Sequence, residues 1–130
     1  MFTIEQIMSA HSKVKSGAEF PNYIQDLKKL GVTFYETHVS DGYTNYFGKD
    51  YYTIASTPKY EQIIIADETD IKQFQADLKA HQLGKTNYHT FCKDAATSGV
   101  EKWVVCMDKM TCTYYDRAGK EMLVEIVPTP

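Results

Sequence analysis

Phe20-Pro21-Asn22-Tyr23-Ile24-Gln25-Asp26-Leu27-Lys28-Lys29-Leu30-Gly31-Val32 and, 68 positions further on, Tyr88-His89-Thr90-Phe91-Cys92-Lys93-Asp94-Ala95-Ala96-Thr97-Ser98-Gly99-Val100 read as two versions of one segment. Phe20, Tyr23, Ile24 and Leu27 fall on Tyr88, Phe91, Cys92 and Ala95, which keeps an apolar stripe at helical spacing. Asp26 falls on Asp94, and Gly31-Val32 on Gly99-Val100, so each helix stops at the residue best suited to a left-handed cap. Pro21 suits the first turn of the earlier copy.

The correspondence extends outward from these helices. Tyr35 falls on Trp103, Tyr46-Phe47 on Tyr114-Tyr115, and Lys49 on Arg117; with a two-residue gap, Ala10-His11 falls on Ala80-His81. A leading helix is expected from Ile4, Ile7, Met8, His11 and Val14, broken at Ser16-Gly17. Its counterpart carries Ile71, Phe74 and Leu78 after a cap at Asp67 or Thr69. Val32 to Val39, Tyr43 to Phe47 and Tyr51 to Ile54 read as a meander turning at Asp41-Gly42 and Gly48-Lys49-Asp50. The second meander runs through Val100–Met107, Met110–Asp116 and Glu121–Val127, and Gln62 to Ile65 is read as a short buried strand. The expectation is one α+β domain over residues 1–130: an internal duplication of a helix-helix-three-strand unit (about 3–66 and 67–128), pseudo-twofold, with helices packed on antiparallel sheet. Whether the two sheets join or stack is left open by the pattern.

A chain of 130 residues that is 43% hydrophobic buries enough surface to fold without a disulfide or metal staple. Net charge is −3 with scattered cations, so no nucleic-acid partner is expected. The opening residues carry no basic and apolar leader, and no stretch is apolar for eighteen residues, so no membrane partner is expected either. Three cysteines, an odd number, argue against a secreted disulfide framework, and a bacterial cytoplasm is the expected compartment.

Ala10-His11-Ser12-Lys13-Val14-Lys15-Ser16-Gly17, Phe20 through Lys28, Leu30-Gly31-Val32, Gly99 through Val105, Met110 through Asp116 and Ala118 through Glu125 together resemble a small enterobacterial prophage-encoded family. Its members, the YbcV-like proteins, are of unknown function and have carried the label "phage envelope protein". The resemblance spans nearly the whole chain. It implies a prophage setting, with a virion as the alternative location, and carries no catalytic or binding residue over to these positions.

No Gly-x-Gly-x-x-Gly, phosphate-binding Gly-x₄-Gly-Lys-Ser/Thr, Gly-x-Ser-x-Gly, His-Glu-x-x-His or Cys-x-x-Cys pattern occurs. No catalytic residue, metal ligand or cofactor is therefore assigned. Ten tyrosines are many for this length, and Tyr43, Tyr46, Tyr51, Tyr52 and Tyr60 lie in one stretch, which marks them as interface candidates. Tyrosine is also simply a good strand residue. His38 and His89 are the candidates for acid-base work or a small ligand, although histidine beside an apolar face is more often a packing residue. Asp26 and Asp94 could pair as carboxylates across a dyad; the plainer reading is two solvated helix positions. Strand parity puts Cys106 and Cys112 on one sheet face, with burial as small hydrophobes the plainer reading.

The function expected is a non-enzymatic accessory protein that associates with itself or with a phage or host protein. The alternatives are a small-ligand binder or enzyme with its pocket between the repeats, and a minor virion component.

Overall fold

The structure, a computed structural model, describes residues 1–14 and 19–128. The expected break at Ser16-Gly17 lies outside the described residues. Helices α1 (Ile4–His11) and α2 (Phe20–Leu30) precede strands β1 (Phe34–His38), β2 (Thr44–Phe47) and β3 (Thr53–Ala55). Helices α3 (Ile71–Gln82) and α4 (Tyr88–Thr97) then precede β4 (Lys102–Cys106), β5 (Thr111–Tyr115) and β6 (Glu121–Ile126). The fold is α+β, with one antiparallel sheet in the order β3-β2-β1-β4-β5-β6.

Local chemistry starts each helix. Thr3 accepts from the Gln6 amide while the Gln6 side chain accepts from the Thr3 amide, a reciprocal cap. Asn87 caps α4 at the Thr90 amide, and Pro21 occupies the first turn of α2 in place of a side-chain cap. The cap of α3 is Asp70, which accepts from the Gln73 amide at 3.0 Å, rather than Asp67 or Thr69. Asp67 instead pairs with Arg117. On α1 the buried positions are Ile7 and Ala10, whereas Met8 is exposed.

Alternation sets the two faces of the sheet. Tyr35, Thr37, Tyr46, Trp103, Val105, Cys112 and Tyr114 are buried on the inner face. There Phe74 of α3 meets Tyr114 at 4.8 Å, and Phe91 of α4 meets Trp103 at 5.8 Å between ring centres. Ile24, Leu27 and Phe74 are fully buried, each worth about 1.5–3 kcal/mol of transfer free energy.

The halves meet at the β1–β4 ladder, which runs from Phe34↔Cys106 to His38↔Lys102. Glu36 and Val104, related by the 68-residue offset, face each other in it. The same offset turns the β1–β2 pair Tyr35↔Tyr46 into the β4–β5 pair Trp103↔Tyr114, and the ladder Phe34↔Phe47 into Lys102↔Tyr115. His11 packs edge-on against Tyr23 at 5.2 Å and His81 stacks on Phe91 at 4.5 Å, so the two Ala-His sites meet repeat-related rings in different geometries. The β5–β6 ladder departs from β2–β3 through an irregularity at Tyr114/Tyr115.

Three further expectations change. Gln62 to Ile65 is not a strand and joins no ladder of the sheet: its Ile63 amide donates to the Ser40 carbonyl, and the Ala66 amide just after it to Ala96. Strand β3 starts at Thr53 because Asp50 and Tyr51 take left-handed turn conformations, φ +57° and +61°. Cys106 and Cys112 lie on opposite faces, since Cys112 pairs with Val105 and Cys106 with Thr111.

Gly31 caps α2 at φ +102°, and Gly99, one residue past the Ser98 cap of α4, takes φ +87°. A Cβ on Gly31 would come no closer than 3.9 Å to Phe2, whereas one on Gly99 would sit 2.8 Å from the Glu68 carbonyl oxygen. Gly31→Ala is therefore expected to cost roughly 1–2 kcal/mol in urea unfolding, from the left-handed backbone alone. Gly99→Ala should cost measurably more, and equal losses would show that Glu68 yields freely.

Candidate functional site

The tyrosines named from the sequence divide into core and surface. Tyr46 is buried on β2 and, with Tyr23 and Tyr35, fills the inner face. Tyr23 donates its hydroxyl hydrogen to Tyr46. Burial, and next the neighbouring Tyr46, hold the Tyr23 phenol above its ordinary range. Burial chiefly does the same to Tyr35, and to Tyr46 against opposing hydrogen bonds from Tyr23 and Thr44. Tyr60 donates to the Val39 carbonyl at 2.6 Å, and Tyr52 to the Phe2 carbonyl at 2.6 Å, anchoring loop and N-terminal segment respectively. Tyr51 stands fully exposed on its turn, and Tyr43 lies half-buried, stacked on His38 at 4.3 Å.

The remaining candidates also have their own neighbours. His89, on the exposed side of α4, packs against Tyr60 at 5.2 Å. Asp26 lines a hollow of about 180 Å³ between α1 and α2. Asp94 faces Asp77 of α3; burial first, then that carboxylate, raises its pKa. Among the described residues, no group of three or more His, Cys, Asp or Glu is placed to hold a metal ion.

Where the halves touch, the space is filled. The Cys92 thiol of α4 lies against the hydroxyls of Tyr60 and Tyr88, and burial pushes its pKa up despite those two hydrogen bonds. Thr37 and Thr44 pair their hydroxyls at 3.0 Å. No buried side-chain polar atom among the described residues lacks a partner, as packed interiors require.

The outer face of the sheet was not singled out in the sequence. Its side chains touch one another: Phe34 stacks on Phe47 at 4.3 Å, Lys102 sits 5.6 Å over the Tyr115 ring, and Lys102 pairs with Glu36 at 2.5 Å across the seam. Val104 and Cys106 stand beside them half-buried, and Val124 and Ile126 are 46% and 80% exposed on β6. Where rings of α3 and α4 meet the sheet, they meet Trp103 and Tyr114 on its inner face. In the sequence these residues are the alternate positions of each strand, between those that fill the inner face. A second hollow, about 340 Å³, runs between α3 and the edge strand β6, lined by Gln75, Leu78, Lys79, Gln82, Leu123 and Glu125.

These features define a helix-backed antiparallel sheet that displays one face and one long edge. Residues 8–126 match the family described as "Protein of unknown function (DUF1398)", and the chain belongs to that family. No curated protein matches it. Among the described residues, no helix is long and apolar enough to cross a membrane.

Two measurements check the electrostatics. His11 is exposed on one side, but desolvation of its ring against Tyr23, and next Lys59, lower its pKa below the ordinary 6.5. A histidine harder to protonate in the folded state binds fewer protons there than when unfolded. Its contribution to stability is thus complete above pH 6.5 and declines as pH falls towards the folded value. An NMR titration of His11 should give a midpoint below 6.5, and Lys59→Gln should raise it; a midpoint at or above 6.5 contradicts the packing. Burial also raises the Cys112 thiol to about 12. Iodoacetamide at pH 8 should modify Cys106 first and reach Cys92 and Cys112 only on unfolding, read by peptide mass spectrometry.

Proposed function

We propose that this protein is a non-enzymatic interaction domain that docks a partner protein on the outer face of its sheet. The observation that carries the reading is the face itself: six strands with Phe34, Phe47, Val104, Val124 and Ile126 turned away from the helices. Face and edge strands of this kind are what partner chains pair with in soluble proteins. The alternative of a pocket between the halves is less favoured, because Tyr23, Tyr46, Tyr60, Tyr88 and Cys92 pack there and each hollow is confined to a single half, one in the first and one in the second. Of the interface tyrosines, Tyr43 and Tyr51 remain available, at the rim.

The resemblance to prophage-encoded proteins supports a phage or bacterial host protein as the partner. The repeated ladders and the two His-aromatic contacts support reading residues 3–66 and 67–128 as copies of one ancestral unit related by a pseudo-twofold axis through Glu36 and Val104.

A photo-crosslinking phenylalanine placed at Val104, on the face, should trap the partner in cells before or after prophage induction. The same probe at exposed Lys28 of α2 should not. Phe47→Glu, with its fold verified by circular dichroism, should reduce the Val104 adduct by about tenfold, as loss of one buried anchor does. Recovery of the protein alone from every face position sinks the reading.

A further inference from the structure

Among the described residues, strand β6 is hydrogen-bonded on one side only, to β5, which leaves its other edge open. Its inner-face residues Leu123 and Glu125 form one wall of the 340 Å³ groove, and α3 supplies the other through Leu78, Lys79 and Gln82. Its outer-face residues Val124 and Ile126 are exposed. An open edge beside a helix-walled groove is the arrangement in which an added strand gains main-chain hydrogen bonds while its alternate side chains enter the groove.

We propose that β6 takes an extended peptide segment of a partner protein as a seventh, antiparallel strand. This rests on the interaction reading above and names the partner's chemistry. Alternation fixes what the peptide presents. Opposite Leu123, over the apolar floor made with Leu78, it places an aliphatic side chain. Opposite Val124 and Ile126 it places β-branched or aliphatic residues on the outer face.

Opposite Glu125 it places Lys or Arg. The Glu125 carboxylate receives hydrogen bonds from two uncharged donors, the Gln82 amide at 3.2 and 3.3 Å and the Tyr114 hydroxyl. The two ion pairs among the described residues, Lys102–Glu36 and Arg117–Asp67, leave it out. Charge complementarity thus selects a basic residue there. The β6 strand of a second copy has none, carrying Glu121 and Glu125. The motif is apolar-basic-apolar-apolar, read N- to C-terminal against Ile126, Glu125, Val124 and Leu123.

The test titrates the ¹⁵N-labelled full chain with the synthetic peptide Ser-Thr-Ile-Arg-Val-Leu-Thr-Ser. Amide shifts should concentrate on Glu121–Ile126, Lys79 and Gln82, and replacing the peptide arginine by glutamate should weaken binding by about tenfold or more. Glu125→Lys should reverse that preference, whereas Glu125→Gln should abolish it with the fold unchanged. No saturable shifts up to about 1 mM, the weak limit for a short recognition peptide, or binding indifferent to the charge swap, overturns the proposal. Shifts on β6 that grow with protein concentration alone would overturn it in favour of a second copy. If the peptide fails while the Val104 crosslink still traps a protein, strand addition falls alone; if both fail, the interaction reading falls with it.

Discussion

The β1–β4 ladder is the contact on which everything else depends. Five residue pairs, from Phe34↔Cys106 to His38↔Lys102, make one sheet of two three-stranded meanders. Without it each meander would offer three short strands over two helices, with too little apolar area on either side to offset chain entropy. With it, rings from both halves share one inner layer. The ladder also determines which strands are peripheral: β3, of three residues, ends one edge, and β6, of six, ends the other. The longer edge is the one bordered by a groove.

That shared layer is unusually phenolic. Tyr23, Tyr35, Tyr46, Tyr60 and Tyr114, together with the hydroxyl end of the partly exposed Tyr88, turn hydroxyls into regions where an unpaired polar atom costs about 1–3 kcal/mol. The cost is avoided because the groups meet each other, a threonine, a thiol or a backbone carbonyl. Such contacts are directional, so the two halves fit in one relative placement, whereas aliphatic residues would tolerate sliding. The tyrosines are thus mostly interior fittings, and their abundance is a poor guide to the outer surface.

Legibility in the sequence followed distance along the chain. The α2 and α4 stripes and the glycines that end them were readable because a helix and its stop are local. Both meanders were readable because alternation and turn residues are local too. Met8 was assigned to the wrong side because α1 ends at His11 and Ala10 fills the buried position. The Cys106 and Cys112 faces were misread because one residue of register, set by the turn holding Met110 at φ +52°, reverses parity. Gln62 to Ile65 has strand composition, but Ser40 claims its Ile63 amide and Ala96 the Ala66 amide that follows, both from distant segments. The β6 groove could not be foreseen, since Gln82 and Glu125, 43 residues apart, meet only after α3 packs on the sheet.

The seam also imposes an order of events on a nascent chain. Its partners lie 64 residues apart at His38↔Lys102 and 72 at Phe34↔Cys106, whereas β1 and β2 are joined by a few residues. Loop closure favours the short contacts, so β1–β2 pairing begins, without yet being stable on its own, while its future neighbour is still being made. Until β4 emerges from the ribosome, β1 is an edge strand carrying Phe34 and Tyr35 with its pairing groups open. Synthesis therefore passes through a period in which another strand could take the place of β4, and the time to finish the second half sets how long that hazard lasts.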